Sequence, residues 1–169
     1  GNHQIGVIQD NIVYNLNICF GSISLIEMFQ IKNYQDRIAS SISNNECIKH
    51  DLDKITPLPP IPNPNSFRDA YAFRQHVETS RKNRGLNVID EFDQFPVFYF
   101  SNHNTMYGDQ EIIKVMPDHF EKLDFELEFA IVIGIGGKNI LSKDAEKHIA
   151  GFCILNDLSC RKLQMEEMK

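Results

Sequence analysis

Glu126 and Glu128 stand two residues apart in the run Leu123-Asp124-Phe125-Glu126-Leu127-Glu128-Phe129-Ala130-Ile131-Val132-Ile133-Gly134. Alternation of acid and apolar residue is a strand pattern, and a period of two sends both carboxylates to one face. Two carboxylates side by side repel one another unless a cation lies between them or one of them holds a proton. Asp69 sits in Arg68-Asp69-Ala70-Tyr71-Ala72-Phe73-Arg74-Gln75-His76, and Asp157 in Asn156-Asp157-Leu158-Ser159-Cys160-Arg161. Together with the two glutamates they would complete an all-oxygen site for a hard divalent ion such as Mg²⁺ or Ca²⁺. His76 adds a base beside the first acid. Taken alone, the glutamates equally suit a solvent-facing strand, because half-buried strands commonly alternate polar and apolar positions.

The elements that must carry these residues are legible in outline. Asp10-Asn11 between two short apolar runs in residues 4–17 predicts a hairpin. Residues 22–43 predict one helix, with Ser22 as its cap and Ile23, Ile26, Met28, Phe29 and Ile38 as an imperfect apolar stripe. Pro57, Pro59, Pro60, Pro62 and Pro64 enforce an extended connector. Residues 66–82 predict a helix capped by Ser66, which would set Asp69 and His76 two turns apart on nearly one face. Phe95 to Phe100 and Glu111 to Met116 read as strands, the second stopped by Pro117, and 123–134 is the carboxylate strand. Ser142 followed by Ala145-Glu146 resembles a capping box opening a short helix over 143–149. A strand over 151–156 would then deliver Asp157 at its end. The domains expected are a small β/α module at 1–56, the proline-rich connector at 57–65, and a catalytic portion at 66–169. Strands predominate after residue 90, so the fold class is α+β, with a mixed, mainly antiparallel sheet.

Composition narrows the function classes. The 169 residues carry 17 Lys and Arg against 23 Asp and Glu, a net charge of −6, with no basic stripe. Nucleic acid and anionic membrane surfaces are therefore poor partners. Twelve Phe, no Trp and 42 % hydrophobic residues describe a globular chain with no apolar run near the ~20 residues of a bilayer span. Cys19, Cys47, Cys153 and Cys160 have no CxxC spacing and read as reduced thiols of a cytoplasmic protein. Gly134-Ile135-Gly136-Gly137 imitates a phosphate loop without the spacing of one, and reads as a turn. His103, His119 and His148 have no metal-ligand spacing.

Several phrases in order resemble the fumarylacetoacetate hydrolase family. They are Pro59-Pro60-Ile61-Pro62-Asn63-Pro64 leading into Ser66-Phe67-Arg68-Asp69, Arg74-Gln75-His76-Val77, Phe95-Pro96-Val97-Phe98-Tyr99, and Leu123-Asp124-Phe125-Glu126-Leu127-Glu128. Ala150-Gly151 and Asn156-Asp157-Leu158-Ser159-Cys160-Arg161 follow. The resemblance implies a fold of the fumarylacetoacetase C-terminal type. It makes Asp69, Glu126, Glu128 and Asp157 the metal ligands, Mg²⁺ the leading ion with Mn²⁺ or Ca²⁺ as alternatives, and His76 the general base. Tyr71, Tyr99, Arg161 and Gln164 resemble substrate-contacting residues. Asp124, at the strand's entrance, is left out of the ligand set.

The implied reaction is hydrolysis of a carbon–carbon bond in a 1,3-dicarbonyl acid such as an acylpyruvate, by a homodimer. Decarboxylation of oxaloacetate and tautomerisation or isomerisation of keto acids are alternatives on the same residues. Lys162 stands where many members carry Asp. The opening Gly1-Asn2-His3 reads as an expression scar, and the chain stops at Lys169 before the stretch that supplies a catalytic lysine in family members. The expectation is thus a truncated catalytic domain, inactive alone, with a shortened binding or assembly protein as the other possibility.

Overall fold

A computed structural model describes residues 3–167. They form two compact units, one of Gly1–Pro57 with Gln110–Lys169 and one of Leu58–Asp109. The first unit begins with the expected hairpin, β1 (Gly6–Gln9) and β2 (Ile12–Asn15). Asp10 and Asn11 both take positive φ, 50° and 62°, the combination that matches a two-residue turn to the twist of its strands. β3 (Ile48–Asp51) adds to the other side of β2 in an antiparallel ladder. Between β2 and β3 run α1 (Asn17–Phe20), α2 (Leu25–Phe29) and α3 (Tyr34–Ser43). Leu16, Met28 and Cys47 are the buried centre of this part, with Val7, Phe29 and Ile38 packed around them.

The single helix expected over 22–43 is two. Ser24, not Ser22, caps α2 in a full capping box with Glu27. Hydrogen bonds from Ser24 hold the Glu27 carboxyl below its usual range. Asn33 then adopts a left-handed conformation (φ 57°), which interrupts helical geometry before Tyr34 starts α3.

The second unit corrects a further expectation. Residues 67–70 are a strand, β4 (Phe67–Ala70), antiparallel to β5 (Phe98–Ser101), and the helix α4 begins only at Arg74 and runs to Asn83. The aromatic run of β5 supplies the reason. It offers a partner ladder, and the Arg68 guanidinium lies over the Phe98 and Phe100 rings at 5.7 and 4.7 Å. Tertiary pairing of this kind overrides a helical periodicity. Val77, 1 % exposed, anchors α4.

Back in the first unit, no strand forms over 111–116, where Ile112 is 86 % exposed. After α5 (Pro117–Phe120), β6 (Leu123–Ile133) and β7 (Ile149–Cys160) make a long two-stranded antiparallel ribbon, and α6 (Arg161–Glu167) follows at once. The 143–149 helix is a 3₁₀ stretch over Ser142–His148, and Ser142 caps nothing. Gly134 follows β6 as the turn expected there. Its N–H donates to the His148 carbonyl at 2.9 Å, and a Cβ on it would meet the Ala150 Cβ at 2.7 Å. β7 extends past the expected 151–156, so Asp157 lies inside the strand rather than at its end.

One face of the ribbon is apolar and open. Phe125, Leu127, Phe129 and Ile131 of β6 pair with Leu158, Asn156, Ile154 and Phe152 of β7, and the Phe129 and Phe152 rings stack at 5.0 Å. Leu127 is 71 % exposed and Ile154 78 %. Neither side chain is packed within its own chain, so Leu127→Lys and Ile154→Lys should each leave the far-UV circular dichroism spectrum unchanged. Loss of that spectrum in either variant would show that the rest of the chain covers the face.

Candidate active site

The antiparallel register of β6 and β7 sets the acids. Glu126 pairs directly with Asp157, and Glu128 lies two residues on along β6, opposite Leu155. Directly opposed residues share a face, so Glu126, Glu128 and Asp157 point to the same side, away from the apolar one. All three are half-buried, whereas Phe125, Leu127 and Phe129 between them are open. The sequence parity thus holds for both glutamates, and the register adds Asp157 to them.

Arg161 meets this face from the first residue of α6. Its Nη1 lies 2.6 Å from Glu126 Oε1, and its Nε donates to Asp124 Oδ2 at 2.9 Å. Nη1 also donates to Gln164 Oε1 at 3.1 Å, which joins two of the expected substrate-contacting residues. The Arg161 bond, with a second from the Phe125 backbone, holds the Asp124 carboxyl below its usual range. Asp124, set aside by sequence reasoning, is thus joined to the acidic face through Arg161. Its parity with Glu126 was the available signal. At the same entrance Lys162 pairs with Glu121 at 2.6 Å, so the residue that departs from the family pattern has an ion pair of its own.

The other expected residues belong to the second unit. Asp69 on β4 is directly opposite Tyr99 on β5, and the Tyr99 hydroxyl donates to the Asp69 carboxylate. His76 is not two turns along a shared helix from Asp69. A strand, a three-residue link and the first turn of α4 separate them. His76 stands edge-on to Tyr71, ring centroids 5.7 Å apart, and Tyr71 in turn meets Phe92 edge-on at 6.3 Å. The Tyr71 hydroxyl is buried and has no hydrogen-bond partner among the described residues. Arg74 fixes the start of α4 through Asp93 and the face of Phe92. Phe73, Arg74, Gln75, His76 and Thr79 line an open cleft of about 470 Å³. Val97 accepts the Tyr71 N–H at 2.9 Å, which continues the β4–β5 pairing up to the tyrosine.

Residues 65–169 match the family described as fumarylacetoacetate (FAA) hydrolase C-terminal. The chain belongs to the fumarylacetoacetate hydrolase family. It is 34 % identical over 119 residues to the oxaloacetate tautomerase YisK of Bacillus subtilis, a stretch covering 68 % of this chain and 37 % of that one. It is 36 % identical over 88 residues to the human mitochondrial oxaloacetate tautomerase FAHD2A, covering 48 % and 28 %. Among solved structures it resembles the fumarylacetoacetate hydrolase of Exiguobacterium antarcticum, with TM-score 0.65, 20 % identity, and coverage of 98 % of this chain and 55 % of that one. The maleylpyruvate hydrolase of Sphingobium sp. SYK-6, solved with manganese(II) and pyruvate, gives TM-score 0.66 at 14 % identity, covering 94 % and 56 %. The fold is therefore the FAH C-terminal type, mixed helix and antiparallel sheet, as the resemblance implied. The chain spans a little over half the length of these solved relatives, and its matched stretches cover under two fifths of the curated ones.

Glu126, Glu128 and Asp157 suit a hard divalent ion in donor chemistry and in register. Within each unit, among the described residues, no three His, Cys, Asp or Glu side chains are closed around one point. The positive charge facing Glu126 is the Arg161 guanidinium.

The lowered Asp124 pKa carries a pH signature. A depressed acid stabilises the fold above its unfolded pKa of about 3.9 and loses that contribution as pH falls through the lower folded value. Thermal melts of the parent and Asp124→Asn should therefore differ from pH 5 to 7 and converge as the pH falls below about 4. A gap that stays constant from pH 2 to 7 would remove Arg161–Asp124 as its cause.

Proposed function

We propose that this domain performs metal-assisted chemistry on a short 1,3-dicarbonyl acid, with hydrolysis of a carbon–carbon bond as the reaction. The observation that carries the reading is the common face of Glu126, Glu128 and Asp157, set by the Glu126–Asp157 register. These three would hold a divalent ion, Mg²⁺ in our reading, and Asp69 carries a further ligand role by resemblance. A divalent ion in such a set supplies Lewis-acid polarisation of two substrate oxygens and offsets the negative charge that develops as the bond breaks.

The chain's own residues do the rest. His76 accepts a proton from the attacking water, a task suited to a neutral imidazole whose ordinary pKa is about 6.5. Tyr71, with its hydroxyl buried and unpartnered, is ready to donate to a substrate oxygen, because an unmade buried hydrogen bond costs ~1–3 kcal/mol and a bound oxygen recovers it. Tyr99 orients the Asp69 carboxylate through its hydroxyl. Arg161 and Gln164, already joined to each other, supply donors for the substrate's acid group.

Oxaloacetate tautomerisation is the second reading, favoured by the two tautomerases that share 34–36 % identity with the chain. It needs proton transfer at carbon and oxygen but no water attack, so His76 separates the two. The four free cysteines suit a reducing compartment, the cytoplasm in our reading.

Calorimetric titration with Mg²⁺ or Mn²⁺ tests the metal set. Glu126→Gln and Asp157→Asn should each abolish the heat of binding, and His76→Ala should keep it. In protein that turns over an acylpyruvate, His76→Ala should cut turnover by ~10²- to 10⁴-fold. Full acylpyruvate hydrolysis by that variant would overturn the water-activation role, and unchanged metal affinity in both carboxylate variants would overturn the ligand set.

Pairing of two copies belongs to the same proposal. The seven apolar side chains on the ribbon's open face, at ~100 Å² each, offer about 700 Å², close to the ~800 Å² per partner that a standard interface buries. Light scattering at micromolar protein should report a dimer that Leu127→Lys dissociates, and a monomer throughout would remove the pairing.

A further inference from the structure

Two of the four cysteines meet in the N-terminal part of the first unit, far in sequence from the acids. Cys19 lies on α1 and Cys47 immediately before β3, 28 residues apart, and their sulfurs are 3.9 Å from one another. Cys47 is 7 % exposed and packs in the cluster of Leu16 and Met28, while Cys19 is only partly covered. The pairing is not a by-product of neighbouring positions on one element. It brings the single turn of α1 against the chain that enters β3.

We propose that Cys19 and Cys47 form a reversible, peroxide-driven disulfide that staples α1 to the start of β3. The balance is complete with a hydroperoxide as oxidant. The Cys19 sulfur, the more accessible of the two, attacks one peroxide oxygen, becomes a sulfenic acid and releases water. The Cys47 sulfur then displaces the hydroxyl from the Cys19 sulfur, and the hydroxyl leaves as a second water with the Cys47 proton. Two thiols lose two hydrogens and two electrons, and one hydrogen peroxide becomes two waters.

Burial, with Cys19 beside it, holds the Cys47 thiol above its usual range, which leaves Cys19 to react first. Closing from 3.9 Å to a bond of about 2.05 Å needs one sulfur or both to move by roughly 2 Å. α1 is the element able to give, being one turn long and ending at Gly21 with φ 77°. The Cys19 carbonyl stays tied to the Arg37 guanidinium, which lies over the Phe20 ring at 4.5 Å, so the adjustment is confined to a side chain and one turn.

The molecule carries its own control. Cys153 and Cys160 lie seven residues apart on the single strand β7, so they point to opposite faces and stand about 23 Å from one another. They cannot join within one chain, and both are half-buried, as Cys19 is.

The test is a titration of the native chain with hydrogen peroxide, followed by alkylation, intact mass and peptide mapping. The expected product has lost two of four alkylatable thiols and about two mass units, and its cross-linked peptide joins Cys19 to Cys47. Dithiothreitol should reverse it. The oxidised form should melt ~5–10 °C higher, since the bond closes a loop of nearly thirty residues. Cys19→Ser and Cys47→Ala should each abolish the mass loss and the melting shift, and Cys153→Ser should change neither. Cys19→Ser, at the less buried position, keeps the test valid should Cys47→Ala fold poorly. Retention of both thiols, separate gains of 16 or 32 mass units at Cys19 and Cys47, or cross-links to Cys153 or Cys160 instead would each overturn the proposal.

Discussion

The register of β6 against β7 is the constraint on which the site rests. With Glu126 opposite Asp157, the period of two gathers three carboxylates on one face and sends Phe125, Phe129, Ile131, Phe152, Ile154 and Leu158 to the other. A slip of one residue in either strand would put acids among the aromatics. Acids of one strand would then lie beside apolar residues of the other, and the three carboxylates would no longer share a face. The same pattern therefore protects the strand pairing and builds the acidic site, and neither can be altered without the other. The stacked Phe129 and Phe152 rings reinforce that register from the apolar side.

Charge on the acidic face is managed locally. Arg161 touches Glu126 and Asp124 together, and its place as the first residue of α6 follows from where β7 ends. Its N–H donates to the Lys122 carbonyl at 3.1 Å, so the backbone fixes the point from which the guanidinium reaches across. A divalent ion at Glu126 would meet this guanidinium as a competitor. Asp124 offers it a second carboxylate to keep, which is the physical use of an acid at the strand's entrance.

Much of this was legible in the sequence, and what was not has identifiable causes. The β1–β2 turn, the carboxylate strand and the shared face of Glu126 and Glu128 follow from periodicity and turn chemistry alone. The helix break at Asn33 did not, because a left-handed Asn leaves no apolar gap in a helical pattern. The strand at 67–70 was hidden for a different reason. Phe67, Tyr71 and Phe73 satisfy a helical stripe, and only pairing with Phe98–Ser101 decides for a ladder. The reading of Asp69 and His76 as neighbours on one helix failed with it. His76 is placed instead by α4, through Val77 buried beside it and the Tyr71 ring against its edge. The Cys19–Cys47 contact lay beyond sequence reasoning altogether, since no spacing rule links a short helix to the entry of a strand 28 residues on.

On the proposed reading, hydrolysis and tautomerisation both build negative charge on a 1,3-dicarbonyl system, and a divalent cation held by the strand-borne acids would offset it without choosing the next step. The choice rests with the proton-transfer groups. A base that takes a proton from water commits the charge to bond cleavage, whereas one that takes it from carbon returns the isomer. His76 lines an open cleft, and the Tyr71 ring, whose hydroxyl is buried, meets the imidazole at an edge. On the proposed reading, water reaches the exposed imidazole while a substrate oxygen accepts from the phenol. A tautomerase gains nothing from water at its base and is better served by a sealed one. On the proposed reading, the exposure of His76 suits water activation, the step that separates hydrolysis from tautomerisation.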